Sequence, residues 1–329
     1  MKKVWIVISI ILTILLISGV VGYCIIYNKV NKEVNKINHV ELPKDEVEVN
    51  EEIKENEEIA EYRNIVLLGI DSREDDYSMG NRSDCMIIAS INQKTKEVKF
   101  VSVYRDTYLE ITGRKLDKVA HAYSYGGPGL AMSTLNQNLD LNITEFVTVN
   151  FDAVSKAVDA IGGVEIEILA DEIKFISGIS SAGKYNLNGA QALSYSRIRY
   201  TSGGDYRRTE RMRNVLVAMI KKAKTKNPME LYELINLMLP ETYTNITIEP
   251  SEILLLIPQA MSYDISLGIG WPYNTKGKTI NGVWYGPPIT LESNVIQLHK
   301  ELFGDENYLP SETVKRISND IIDKTGYSD

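Results

Sequence analysis

With 329 residues, 44% of them hydrophobic, the chain carries enough apolar surface for one large core or two modest ones. A formal net charge of −8 argues against a nucleic-acid-binding protein, which normally presents a basic domain. Its two cysteines, Cys24 and Cys85, exclude a disulfide framework and disfavour a disulfide-rich secreted domain.

From the N-terminus, Val4 to Tyr27 holds no charge over 24 positions, long enough to span a bilayer core. A cleaved signal peptide would have a shorter apolar region ending at an A-x-A-like site, which SGVVGYC does not supply. Tyr23 occupies the position where a lipoprotein site at Cys24 needs a small residue. The run therefore reads as a retained single-span anchor over 4–27. Lys2 and Lys3 precede it and Lys29, Lys32 and Lys36 follow it, so the positive-inside count leaves its orientation open. Between Glu41 and Glu61 stand ten acidic residues and two lysines. That composition predicts a solvated, self-repelling spacer over 28–62, part coil and part loose helix.

NIVLL, Asn64 to Leu68, reads as a buried strand ending at Gly69. Cys85 to Asn92 and Val98 to Tyr104 read as two more, joined as a hairpin through NQKTKE. Gly129 to Leu139 and Phe151 to Ile161 have helical spacing, the second stopped by Gly162 and Gly163. Val164 to Leu169 returns to strand. Helices follow over Gly189 to Ser196, Tyr206 to Lys224, Met229 to Leu239 and Ser251 to Met261. The tail from Trp271 is loop-rich up to a late helix from Ser311, and it does not separate as a domain. Strands interleaved with helices give an α/β fold, a mixed central sheet flanked by helices on both faces, behind an N-terminal transmembrane helix.

Six arginines and no lysine fall between Arg197 and Arg213. Guanidinium stays charged and grips phosphate oxygens in a bidentate fork, which lysine cannot do. With Asp205 as N-cap, the following helix carries an apolar stripe at Met212, Val215, Leu216, Met219 and Ile220. Arg208 and Arg211 lie four residues before Met212 and Val215, on the buried face. Buried charge needs partners. Asp205 and Glu210 can neutralise two arginines, and the rest call for an external anion beside a helix N-terminus. An anion pocket fits better than a solvated charged face.

Three further clusters sit at strand ends, where ligands collect in open α/β sheets. GIDSR, Gly69 to Arg73, follows the first strand; RSD, Arg82 to Asp84, precedes the second; YRD, Tyr104 to Asp106, follows the third. Asp71 and Asp84 are candidates to hold one hard divalent cation, since magnesium accepts one or two carboxylates plus water and phosphate. Arg73 and Arg82 stand within two residues of them, an alternation that fits a metal–pyrophosphate site, with Arg105 a further phosphate clamp. His121 reads as a packed, hydrogen-bonded histidine ahead of a catalytic base. No Ser-His-Asp order, zinc spacing or nucleotide-type glycine loop can be assembled, and GGPG at Gly126 to Gly129 is a turn into a helix.

Taken in order, NIVLLGIDSR, RSDCM, the YRDTY segment, KVAHAYSYGG, VDAIGGVEI, LNGAQALSYSRIRY and GDYRRTERM resemble the successive motifs of the LytR-CpsA-Psr domain. The resemblance runs from about Asn64 to Lys224, giving a catalytic domain at 63–225 and a C-terminal extension, 226–329, packed on it. The resemblance implies a membrane-anchored enzyme on the outer face of a Gram-positive cell, with residues 1–3 cytoplasmic. Such enzymes transfer an anionic glycopolymer, such as teichoic acid or capsule, from polyprenyl pyrophosphate to the muramic acid 6-hydroxyl of peptidoglycan through a phosphodiester. Nucleic acid is not among the implied partners.

By motif match, Asp71 and Asp84 would be associated with Mg2+, or Mn2+ in its place. Arg105, Arg197, Arg199, Arg208 and Arg211 would be the catalytic arginines lining the pyrophosphate pocket, joined by Arg73 and Arg82, with Asp205 beside them as an orienting group. Three residues depart from the family pattern: Tyr104 stands for proline, Cys85 for threonine and Met212 for glutamine. The carrier's tail calls for an apolar groove, with the Leu- and Ile-rich helices around Met229 to Ile257 as candidates. Two other functions stay open: a non-catalytic lipid-pyrophosphate-binding regulator (a transcriptional attenuator), and a polyprenyl pyrophosphate hydrolase using water as acceptor.

Overall fold

The computed structural model describes residues 36–43, 46–72, 77, 79–247, 261–266 and 268–328. The anchor at 4–27, Arg73 and most of the helix expected over Ser251 to Met261 lie outside them. Among the described residues no helix is long and apolar enough to cross a membrane.

A short strand β1 (Asn38–His39) and two single-turn helices, α1 (Glu51–Lys54) and α2 (Glu57–Ala60), precede the long strands β2 (Tyr62–Ile70), β3 (Ser83–Asn92) and β4 (Glu97–Val103). A hairpin of β5 (Tyr108–Glu110) and β6 (Leu116–Lys118) leads into α3 (His121–Leu139), and β7 (Glu145–Asn150) into α4 (Phe151–Ala160). A second hairpin, β8 (Val164–Ile168) and β9 (Gly183–Leu187), precedes α5 (Gly189–Ser196), α6 (Gly204–Ala223) and α7 (Pro228–Met238). The chain returns through β10 (Thr242–Thr244), β11 (Asp264–Ile265) and β12 (Ile269–Trp271). It ends with a third hairpin, β13 (Lys278–Ile280) and β14 (Val283–Tyr285), and the helices α8 (Leu291–Phe303) and α9 (Glu312–Thr325).

Eight strands form one sheet in the order β1-β10-β7-β2-β3-β4-β11, with β12 also on β4. β2 pairs antiparallel with β3 and parallel with β7, so the sheet is mixed. Its central strands alternate two apolar faces. Val66, Leu68, Ile70, Met86, Ile88 and Val101 face a core shared with α3, α8 and α9. Ile87, Ala89, Val98 and Phe100 meet Val217 of α6 on the other face. This is the expected α/β arrangement with helices on both sides.

Three expectations are corrected. The acidic tract is laid on the domain from β1 onward: β1 pairs with β10, Ile53 and Ile59 are buried, and Val40, Leu42, Val47 and Val49 pack on the main core. Apolar residues alternate with carboxylates there, so one side packs while the charges face water. The tail beyond Trp271 carries α8, whose Leu291, Val295, Leu298 and Leu302 are buried in the same core. The helix expected from Gly129 is the second half of α3, which is kinked at Gly126 and at Gly127, where φ is 65°.

Candidate functional site

Three strand ends and one helix start meet at one edge of the sheet. Asp71 follows β2 directly. The β2–β3 register pairs Gly69 with Cys85 but Ile70 with Ser83, so Asp84 is the extra residue of a bulge, a device that re-aims a side chain. Arg105 follows β4. Arg197 is the C-cap of α5, whose other end is fixed by a capping box between Asn188 and Gln191. The chain then turns through Gly203 and Gly204, both at positive φ (85° and 48°), into α6. Helix α6 begins before Asp205, which therefore sits in its first turn instead of capping it.

Asp84 is the hub. Arg105 Nη1 lies 2.7 Å from its Oδ1, while Arg199 Nη2 and Arg208 Nη1 lie 3.3 and 3.5 Å from its Oδ2. Arg208, 1% exposed, also reaches Asp205 at 3.3 Å. Arg197 pairs with Asp71 at 2.9 Å and lies 5.1 Å over the Phe151 ring. The Nε atoms of Arg105 and Arg208 are buried and have no hydrogen-bond partner among the described residues. Burial raises the Asp205 carboxyl above its usual range against the pull of Arg208, and burial lowers the Arg208 guanidinium. Four guanidiniums thus face Asp71, Asp84 and Asp205, while Asp106, 3.8 Å from Arg105 Nε, is matched by Lys118, leaving one net positive charge and unspent donors for an anion.

Arg211 is not among them. It is buried behind the cluster, where Nε meets Glu172 Oε1 at 2.7 Å, Nη1 the Ile198 carbonyl at 3.0 Å and Nη2 Thr201 Oγ1 at 2.7 Å. Its expected place in the phosphate pocket is corrected: Glu172, a residue the sequence reading did not single out, supplies the carboxylate internally. Arg207 leans on the same Glu172 at 3.7 Å and on Glu210 at 3.6 Å. Arg82 is exposed at the head of β3. His121 Nδ1 lies 2.9 Å from Asp117 Oδ2, a hydrogen-bonded histidine apart from the cluster.

An apolar cavity of about 230 Å³ runs between β7, β2 and β3 and the helices α4, α5 and α6. Gly69, Cys85, Phe151, Ser196 and Met212 line it, and each is a near neighbour in sequence or space of Asp71, Asp84, Arg197 or Arg208. Charged head and apolar cavity are contiguous. Of the stretch Met229 to Ile257, only Met238 lines the cavity among the described residues. The departures at Cys85 and Met212 both fall on its wall. Burial pushes the Cys85 thiol up to about 12, so it stays protonated and behaves as a small hydrophobe. Tyr104 packs its ring edge-on to Tyr206 at 4.6 Å.

Asp71 and Asp84 stand at the ends of adjacent strands and offer hard oxygen donors. Among the described residues no group of three or more His, Cys, Asp or Glu side chains assembles into a cage. Such a donor pair fits an ion that keeps water and phosphate in its shell, as magnesium does, and not a closed zinc site.

A family model described as LytR_cpsA_psr family matches residues 22–293. The polyisoprenyl-teichoic acid–peptidoglycan teichoic acid transferase TagU of Enterococcus faecalis is 35% identical over 238 residues, 70% of this chain and 75% of that protein. The protein of the same name from Oceanobacillus iheyensis is 31% identical over 306 residues, 88% of this chain and 90% of its own. The solved structure of TagT bound to LIIa-WTA superposes with a TM-score of 0.66 at 27% identity, covering 82% of this chain and all of that one.

Proposed function

This chain belongs to the LytR-CpsA-Psr family, and on that premise we propose that it is a transferase that moves teichoic acid or a similar anionic glycopolymer from polyprenyl pyrophosphate to peptidoglycan. One observation carries the reading. Guanidiniums from three separate segments, Arg105, Arg199 and Arg208, converge on Asp84 beside an apolar cavity. A diphosphate with a hydrocarbon tail is the ligand with that shape and charge.

Phosphoryl transfer asks a protein chiefly for positioning and for neutralisation of the non-bridging oxygens. Arg105 and Arg208, whose Nε–H groups make no hydrogen bond among the described residues, grip the diphosphate, while Arg197 and Arg199 close the solvent side. The acceptor hydroxyl oxygen bonds to the phosphorus that carries the glycopolymer. The bond from that phosphorus to the bridging oxygen breaks, and polyprenyl phosphate leaves with the electron pair. The hydroxyl proton passes to Asp205, whose raised pKa suits a base. Magnesium held by Asp71 and Asp84 would supply further neutralisation of diphosphate charge.

The uncharged run Val4 to Tyr27 supports a single membrane anchor, and a peptidoglycan acceptor would put the domain on the extracytoplasmic side with the N-terminus cytoplasmic. A site for a membrane-borne carrier belongs there.

The test is incubation of the full chain with magnesium, a polyprenyl pyrophosphate-linked saccharide and peptidoglycan oligomers. Polymer attached to glycan is expected. Free phosphate-bearing products would instead mean a hydrolase, and binding without turnover a regulator. Titrating magnesium against Asp71→Ala should shift the half-saturating ion concentration upward by about tenfold or more. An unshifted midpoint would remove Asp71 from the metal site.

A further inference from the structure

In-line transfer requires the acceptor oxygen to enter opposite the leaving oxygen. The leaving group carries the hydrocarbon chain, and the apolar cavity lies on the β7, β2 and β3 side of the cluster. The acceptor must then approach from the β4 side, where Asp106, Tyr206 and the β13–β14 hairpin stand. Gly286, directly after β14, donates its N–H to the Asp106 carbonyl at 2.8 Å, which ties the hairpin to the residue beside Arg105. The hairpin turns through Asn281 and Gly282, both left-handed (φ 50° and 81°), the tight two-residue connection that matches strand twist.

Trp284 sits on this hairpin and is 42% exposed, whereas Trp271 is fully buried. A Cβ at Gly277 would lie 2.8 Å from Trp284 Nε1. One at Gly286 would lie 3.6 Å from the far edge of the same indole and 3.1 Å from the Tyr206 hydroxyl. Neither glycine is left-handed, so what they supply is room: the indole lies across bare backbone between them. Tyr285, next along β14, faces the other way, with Lys118 5.8 Å over its ring. The hairpin thus fixes an aromatic plane next to the Tyr206 hydroxyl.

We propose that Trp284 is the platform on which a sugar ring of the acceptor glycan stacks, with the Tyr206 hydroxyl meeting its rim. Sugar rings present a C–H face that packs on an aromatic plane and a rim of hydroxyls that wants polar neighbours. The assignment rests on the transferase reading and adds the acceptor side to it.

The test uses the full chain in detergent. Tryptophan fluorescence during titration with a peptidoglycan tetrasaccharide, without donor, should show a saturable change in the wild type that Trp284→Ala abolishes. With donor present, Trp284→Ala should raise the acceptor KM about tenfold, leaving donor KM unchanged, and Trp284→Phe should recover most of the loss. Gly277→Ala, which pushes on the indole, should fall between them. A wild-type fluorescence trace that does not respond to the sugar overturns the proposal, as does an equal rise in both KM values or an unmoved acceptor KM. Sugar binding without any transfer would sink the transferase reading and spare the platform. Transfer indifferent to Trp284 would do the reverse.

Discussion

Arg211 Nε and Glu172 Oε1 lie 2.7 Å apart with each side chain 1% exposed, an ion pair sealed inside the protein behind the cluster. Removing one partner strands the other, so Arg211→Ala or Glu172→Ala should cost about 3–5 kcal/mol in denaturant unfolding. Replacing both at once, Arg211→Met with Glu172→Leu, should recover most of that stability and retain transfer activity. A stable but inactive double variant would return Arg211 to the phosphate pocket.

Arg197 offers the opposite case. Its side chain is 47% exposed and pairs with an Asp71 that is 63% exposed, so the fold gains little from it. Arg197→Ala should lower kcat/KM for transfer by about 10²–10³-fold, the cost of losing one preorganised donor. Its melting temperature should move by less than about 2 °C. Calorimetry and the transfer assay on one preparation decide it, and activity lost only in step with stability would count against the role.

Ala192 lines the apolar cavity and is 1% exposed. Ala192→Trp should fill part of the space and raise the KM for a long-chain polyprenyl donor by about tenfold, at a packing cost of about 1–3 kcal/mol. A short-chain donor should be nearly indifferent. Equal effects on both donors would place the hydrocarbon chain elsewhere.

His299 is buried, stacked 3.5 Å from the Tyr308 ring, with Nε2 2.9 Å from the Leu139 carbonyl. Burial lowers its pKa to about 4. The unfolded chain binds that proton near pH 6.5 and the folded one does not. Stability is therefore fully present above pH 6.5 and falls as pH drops toward 4, by about 3 kcal/mol in total. Urea midpoints between pH 7 and 5 should show the loss in wild type and a flatter profile in His299→Asn.

Much of this was legible because local pattern and tertiary role agree. The strands at Asn64, Cys85 and Val98 announce themselves through β-branched and apolar residues, and the helix Gly189–Ser196 through the asparagine that caps its start. The helical phase of Arg208 places it on the buried face, where it is found. Arg211 shares that phase but not that destination, because Glu172 arrives from a loop after β8 that no spacing rule connects to α6. β7 reads EFVTVN, whose buried positions Phe146, Thr148 and Asn150 are mostly polar, so no apolar alternation marks it, and its parallel place beside β2 depends on a crossover through α3 that short-range pattern does not encode. Asp84 owes its aim to a one-residue bulge, which is invisible until the register is known. Trp284 and Tyr206 are far apart in sequence, and only the closed hairpin brings them to one wall.

If the proposed anchor holds the chain to a membrane, the strapped acidic tract would set its working height. With the anchor proposed at Val4 to Tyr27, only residues 28–37 separate the bilayer surface from β1. Ten residues reach about 35 Å at full stretch. On such an anchor the leash would be short, and the reactive edge would work in a thin layer directly above a membrane-borne donor instead of ranging away from it.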